Sequence, residues 1–175
     1  MRLLFLSLMA LSLAAEPPSR EGIQQGMRKA AEFYRTKVST QGGYHFTYTD
    51  DLSYGRSEHG EGPTQVEVQR QGTPLIGMTY LTAHEATGDN YYLDAAVETA
   101  GALVRGQYCS GGWDYIIEFD PAKRKQYPYR ADDACKAQPA EKQRVTTLDD
   151  NITQAASRLL MRIDRELKFQ TAKIH

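Results

Sequence analysis

Apolar residues recur at helical spacing in four segments of the chain. The clearest segment follows the sequence Thr147-Leu148-Asp149-Asp150 and separates apolar from polar positions onto opposite faces. Its apolar positions are Ile152, Ala155, Ala156, Leu159, Leu160, Ile163 and Leu167. Steps of three and four residues are typical of a helix with one buried face. Similar stripes predict a first helix over residues 19–38, capped by Ser19, and two more helices in the middle of the chain.

The two central helices form a predicted hairpin. The second helix begins at Gly72-Thr73-Pro74, with Thr73 as N-cap and Pro74 at the first helical position, and runs to about Ala86. The third helix follows after Thr87-Gly88-Asp89 and ends at Arg105-Gly106. Such a short link predicts that the two helices lie antiparallel and side by side.

Short strands and polar loops separate the helices. Residues 44–48 alternate and are rich in strand-forming side chains, which predicts a strand, and residues 66–68 predict another. Residues 50–63 show no periodicity and are interpreted as a loop. Residues 121–144 form a second long polar loop, of a kind that is often functional.

One segment occurs twice. Gly42-Gly43-Tyr44 recurs 69 positions later as Gly111-Gly112-Trp113, and each copy connects the end of a helix to a short aromatic strand and a polar loop. An internal repeat of this kind is typical of helical hairpins stacked in an arc or ring. The predicted fold class is therefore mainly α, with stacked antiparallel helical hairpins and short β-strands.

The first residues have the pattern of a signal peptide. A positive start at Met1-Arg2 precedes the apolar run 3–13, and small residues stand before Ala15. The run is too short to remain as a membrane helix, which needs about 20 residues. We expect a signal peptide over residues 1–15, a secreted or periplasmic protein that has no membrane association after cleavage, and one domain over residues 19–175.

Composition narrows the possible partners and the redox chemistry. The 175 residues are 41% hydrophobic and 25% charged, which suits one globular domain, and the net charge is −1. The longest basic run is Lys123-Arg124-Lys125, so no nucleic-acid partner is expected. In an exported protein Cys109 and Cys135 can form a disulfide, which would raise the free energy of unfolding by about 3 kcal/mol. The alternative is that both cysteines are free thiols.

Aromatic residues on the repeated segments are candidates for sugar binding. Aromatic faces beside polar loops suit sugar rings, whose C–H faces stack on them. Because half of an alternating strand is normally core, each ring has a packing role as its alternative. Tyr44 and Trp113 come directly after Gly-Gly and are the preferred groove residues, with Tyr115 beside them. Arg130, next to a tyrosine-rich segment, is a candidate for binding a uronate carboxylate.

Two adjacent carboxylates and an amide precede the last helix. Asp149 or Asp150 can cap that helix, because a helix start exposes unpaired N–H groups and a partial positive charge. Alternatively, one of them caps while the other presents oxygens, together with Asn151, to a cation or a sugar hydroxyl. Calcium requires six to eight oxygen ligands, so other acidic pairs, at positions 50–51 and 132–133, can contribute as well.

Several of these pieces, in their order, resemble a known family. The Gly-Gly-aromatic segments, Gly72-Thr73-Pro74, Ala86-Thr87-Gly88-Asp89 and residues 147–154 together resemble the pectic acid lyases of polysaccharide lyase family ten, over residues 22–167. The resemblance implies an (α/α) toroid-like fold, of which this chain would be an N-terminal portion. It also implies calcium-assisted β-elimination of polygalacturonate (pectate), an acidic polysaccharide, with Asp149 matching an acidic cleft residue that helps to hold calcium or substrate. Asp150 falls where many members carry Asn or Asp, and with Asn151 it completes the predicted set of metal ligands.

The chemistry of that reaction leaves one role unfilled. The C5 proton of a uronate becomes acidic when calcium or arginine neutralises the adjacent carboxylate, and a base must then remove the proton. In the family this base is an arginine well downstream of the Leu-Asp-Asp motif, whereas the sequence ends at His175. Arg130 is the catalytic candidate that remains. The prediction is a pectate lyase-like enzyme, and the alternatives are a non-catalytic carbohydrate-binding or scaffold protein and a helical repeat module for protein partners.

Overall fold

A computed structural model describes residues 17–132, 135 and 146–170. The predicted signal peptide lies outside these residues, as do positions 133–134 and 136–144 of the second long loop. None of the described helices combines the length and apolar character needed to cross a membrane.

The described chain is mainly α, as predicted, with two small antiparallel sheets. The helices are α1 (Arg20–Phe33), which continues as a π-helical turn (Tyr34–Val38), α2 (Thr73–Thr87), α3 (Asn90–Arg105), α4 (Pro121–Arg124) and α5 (Ile152–Glu166). The strands are β1 (Thr47–Tyr48), β2 (Gly55–Arg56), β3 (Gln65–Glu67) and β4 (Ile116–Glu118). β1 pairs with β2, and β3 pairs with β4, in register Val66 to Ile117.

Some predicted boundaries are wrong. The strand predicted over residues 44–48 is reduced to β1, and the predicted loop contains β2. Gly72, not Thr73, is the N-cap of α2, because the Thr73 hydroxyl is engaged with the backbone of Tyr44. Ser19 caps α1 as predicted, its Oγ accepting a hydrogen bond from the Gly22 N–H at 3.1 Å.

α2 and α3 form the predicted hairpin, and α5 packs against both. Along α2 and α5 the contacts advance in the same direction. Gly77, in the first half of α2, faces Leu159 of α5. Further along both helices, Glu85 forms an ion pair with Arg162, and His84 lies 3.5 Å from Glu166. The two helices are therefore parallel. Leu81, Leu103, Ile152, Leu159 and Ile163 form the centre of the core.

Both copies of the Gly-Gly-aromatic segment are held in the same way. The backbone N–H of Tyr44 donates to Thr73 Oγ1 at 3.0 Å, and that of Trp113 donates to Thr153 Oγ1 at 3.1 Å. We call each of these contacts a threonine clasp. The first glycine of each pair has a positive φ, 87° at Gly42 and 91° in the second copy, which favours glycine. The first clasp connects Tyr44 to the first turn of α2, and the second connects Trp113 to the first turn of α5.

Cys109 and Cys135 form a disulfide. It joins the segment that follows α3 to the segment that leads towards α5, 26 residues further along the chain. Of the two alternatives left open by the sequence, the structure has the disulfide.

Candidate functional site

A groove lies between the first turns of α2 and α5. Its volume is about 240 Å³. It is lined by Arg70, Pro74, Leu75, Met78, Asn151, Gln154, Ala155 and Arg158. Since α2 and α5 are parallel, both helix N-termini meet at this end of the molecule. The groove therefore combines an apolar wall from α2 with amide and guanidinium groups.

Two arginines line the groove. Arg70 and Arg158 are both exposed, and neither forms an ion pair within the described part of the chain. The N-termini of α2 and α5 add partial positive charge. A guanidinium group binds a carboxylate through two parallel hydrogen bonds, so this arrangement can bind an acidic ligand.

The turn that borders the groove contains the two predicted acidic ligands. Asp149, Asp150 and Asn151 form a 3₁₀ turn and are all exposed. Asp150 and Asn151 have φ values of 47° and 58°, in the left-handed region. A non-glycine residue held there costs about 1–3 kcal/mol, and such residues cluster at functional sites.

The helix-capping role expected of the acidic pair is wrong. Asn151 occupies the N-cap of α5 and makes no side-chain capping hydrogen bond. Asp149 Oδ1 accepts from the Asp150 N–H at 2.9 Å, inside the turn itself. The left-handed residues turn the chain before the helix begins, so neither carboxylate reaches the free N–H groups of α5.

The described residues do not form a complete metal site. Within them, no group of three or more His, Cys, Asp and Glu side chains is arranged to hold a metal ion. Asp149, Asp150 and Asn151 supply oxygens of the type that calcium prefers, but fewer than it requires.

Tyr44 and Trp113 are not groove residues, and that prediction is wrong. Their exposed fractions are 1% and 2%. The Tyr44 hydroxyl forms a hydrogen bond with the Tyr80 hydroxyl at 3.0 Å, and Trp113 Nε1 donates to the Leu103 carbonyl at 2.8 Å. The threonine clasps place both rings beneath the helices, in the core.

Tyr115 is half-buried and stacks on His59. The two ring centroids are 3.6 Å apart and the ring planes differ by 25°. Burial raises the pKa of Tyr115, and the charges of Asp149 and Asp150 raise it further. Tyr115 therefore adjoins the turn that borders the groove, which is compatible with its predicted role beside a substrate.

Arg130 is exposed but is not one of the groove residues. It begins a 3₁₀ turn (Arg130–Asp132), and its backbone N–H donates to the Gln107 carbonyl at 2.8 Å. The arginines that line the groove, Arg70 and Arg158, were not singled out from the sequence. The only feature of the sequence that could have indicated them is that each lies within about two helical turns of the start of a helix.

A buried carboxylate was also missed. Glu67 is fully buried in β3, and its Oε2 accepts from the backbone N–H groups of His59 and Gly60 at 3.3 and 3.1 Å. Its Oε1 has no hydrogen-bond partner and lies 3.6 Å from His59 Nδ1. Burial raises the pKa of Glu67, and the two N–H groups oppose that rise. The alternation Val66-Glu67-Val68 is typical of a strand with one buried and one polar face, so it gave no signal that Glu67 is buried.

Comparisons of the chain with protein-family models, with curated proteins and with solved structures found no match. The groove, the bordering turn and the stacked pair His59–Tyr115 are therefore the observations from which a function can be argued.

Proposed function

We propose that this protein is pectate lyase-like: it binds pectate or a related acidic polysaccharide in the groove between α2 and α5 and cleaves it by β-elimination. The observation that carries the proposal is the pair Arg70 and Arg158, which line the groove without a carboxylate partner among the described residues. Each sugar of polygalacturonate bears one carboxylate, and two guanidinium groups beside two helix N-termini match such a ligand.

The remaining groove residues suit the rest of a sugar ring. Pro74, Leu75 and Met78 offer apolar surface to C–H faces, while Asn151 and Gln154 offer amides to hydroxyl groups. An arginine that neutralises the uronate carboxylate also acidifies the C5 proton, so the same contact serves both binding and elimination. If calcium takes part, Asp149, Asp150 and Asn151 are the residues that would hold it, together with oxygens of the polymer.

The repeat supports a larger architecture. α2 and α5 each carry a clasping threonine in the first turn and run parallel, as successive units of an (α/α) toroid-like array would. We propose that arrangement for the chain, and export to the cell exterior or periplasm follows from the sequence pattern at its start.

The second candidate is a non-catalytic carbohydrate-binding protein. None of the eight residues that line the groove is an Asp, Glu or His, so the groove itself has no conventional general base. Binding of the polymer without turnover would select this candidate.

Binding is tested with Arg158→Gln and Arg70→Gln. We expect each to weaken polygalacturonate binding by about tenfold or more, because a hydrogen-bonded charge contributes about 1.5–3 kcal/mol. Arg165→Gln is the matched control, since Arg165 is an exposed arginine of α5 outside the groove. Equal losses in all three variants, or no binding by the wild type in a calorimetric titration, would contradict the proposal.

Lyase activity is tested by the ultraviolet absorbance of the unsaturated product. We expect absorbance to rise when the protein is mixed with polygalacturonate and calcium, and to fall with a chelator or with Asp149→Ala. Circular dichroism establishes that the variant is folded. A folded wild-type protein that binds the polymer and yields no product would leave the carbohydrate-binding function.

A further inference from the structure

The loop before β3 holds a histidine between a buried carboxylate and an aromatic ring. His59 Nδ1 faces Glu67 Oε1 at 3.6 Å, and the imidazole stacks on Tyr115. Glu67 is itself fixed, since two backbone N–H groups hold its other oxygen. The side chain of His59 remains 35% exposed, and within the described residues nothing occupies its Nε2. A base with one nitrogen oriented by a carboxylate and the other accessible has the arrangement used in general acid–base catalysis.

Two segments connect this arrangement to residues that line the groove. The Val68 N–H donates to the Tyr115 carbonyl at 2.7 Å, and Arg70, two residues further along, lines the groove. On the other side, Tyr115 interacts electrostatically with Asp149 and Asp150, and the next residue, Asn151, also lines the groove. None of the groove-lining residues is a conventional base, and Tyr115 links His59 to the segments that carry Arg70 and Asn151.

We propose that His59 is the catalytic base of the elimination and that Glu67 is its positioning residue. The proposal rests on the lyase activity proposed above and assigns the role that the sequence left unfilled.

In the proposed step, this single base accounts for both proton transfers. His59 Nε2 takes the C5 proton of the uronate, the C4–C5 double bond forms, and the C4–O4 bond breaks with its electron pair on O4. The imidazolium then gives the proton to O4, which leaves as a hydroxyl, and His59 returns to its neutral form. Arg70 or Arg158 neutralises the carboxylate and needs no proton change.

Several charged groups surround the stacked pair. They are Glu58 on the loop, Glu67 on β3, Asp114 before β4, and Asp149 and Asp150 on the turn. All of these groups are acidic. Glu67 is the one whose oxygen faces Nδ1 directly.

The test compares His59→Gln, Glu67→Gln and the loop control Glu61→Gln. We expect His59→Gln to lower kcat about 100-fold or more with polymer binding unchanged, because general base catalysis contributes about 10²- to 10⁴-fold. Added imidazole should partly restore kcat in His59→Gly, which a purely structural role would not allow. Glu67→Gln should lower kcat less and move the acidic limb of its pH profile to lower pH, since the imidazolium loses its facing carboxylate. Glu61→Gln should match the wild type.

The outcomes separate this assignment from the function on which it rests. A wild type that cleaves the polymer while His59→Gln retains full kcat overturns the assignment and leaves the lyase standing. Binding without cleavage by the wild type overturns both the lyase and the assignment, and absence of binding overturns the proposed function as a whole.

Discussion

Buried tyrosine hydroxyls are a recurrent feature of the core. Tyr129 is fully buried and its hydroxyl accepts from the Glu118 backbone N–H at 2.9 Å, while Tyr44 and Tyr80 pair through their hydroxyls. Burial raises the pKa of Tyr44, Tyr108 and Tyr129, because the phenolate would lose its hydration. Burial likewise raises the pKa of Tyr48 to about 12.

These phenols predict an alkaline limit of stability. A raised folded-state pKa favours the neutral form, so its stabilisation is complete below the unfolded value of about 10 and is lost as pH rises through the folded value. We expect the tyrosines to ionise together with unfolding above about pH 10. Phenolate absorbance and far-ultraviolet circular dichroism should change in the same transition. Ionisation of all tyrosines near the ordinary value with an unchanged dichroism spectrum would contradict this.

Single side chains were the hardest feature to predict. The alternating pattern allows Tyr44 and Trp113 to lie either in the core or in a groove. Their position is fixed by a backbone hydrogen bond to a threonine 29 residues further along the chain for Tyr44 and 40 for Trp113. That partner is invisible in any local window of sequence. Tyr115, two residues beyond Trp113 and just before β4, is half-buried, and its predicted role beside a substrate stays a prediction.

At the level of elements, each threonine clasp depends on a close backbone approach. A Cβ on Gly43 would lie 2.5 Å from a Val66 methyl group, and one on Gly112 would lie 2.3 Å from the Thr146 methyl group. Only glycine allows these contacts without displacement. The second glycine of each pair is thus required by packing against the side chain of Val66 or Thr146.

Removing one clasp should destabilise the fold. Thr153→Val leaves the partly buried Trp113 N–H without its acceptor, and we expect a loss of about 1–3 kcal/mol in the free energy of unfolding. Thr153→Ser keeps the hydroxyl and is the matched control. Trp113 is the single tryptophan, so its fluorescence reports urea unfolding directly. A valine variant as stable as the serine variant would show that the clasp contributes nothing.

Helices were predictable because their stripes are long, whereas the strands contain only two or three residues. The stripe of α1 was misleading in one respect. Its apolar face predicts burial, yet Ile23 and Phe33 are 49% and 48% exposed, and Ala31 is its only buried residue. Periodicity identifies an apolar face but not whether a neighbouring element covers it.

At the scale of the whole molecule, the disulfide links the segment after α3 to the segment that leads towards α5. Replacing Cys109 and Cys135 by serine should lower the free energy of unfolding by about 3 kcal/mol, because the unfolded chain regains the freedom of a 26-residue loop. We expect polymer binding to persist, since the groove is lined by other residues. Urea unfolding and a binding titration check both parts, and unchanged stability would contradict the first.

The mainly α class could be predicted from the sequence, because the helical periodicity and the internal repeat both indicated it. The groove could not be predicted, because it forms only when α2 and α5 lie parallel. Arg70 and Arg158 are 88 positions apart, and no pattern in the sequence connects them.

The two clasps span connectors of different length. The first joins residues 29 apart and the second residues 40 apart, yet the hydrogen-bond distances are nearly equal. The stretch between a clasped aromatic residue and its threonine therefore has no fixed length, and its turns between the strands are where residues can be gained or lost. In evolutionary and engineering terms, this connector is the place where new loops can be grafted, and variation there can change what the protein recognises while the helices are inherited intact.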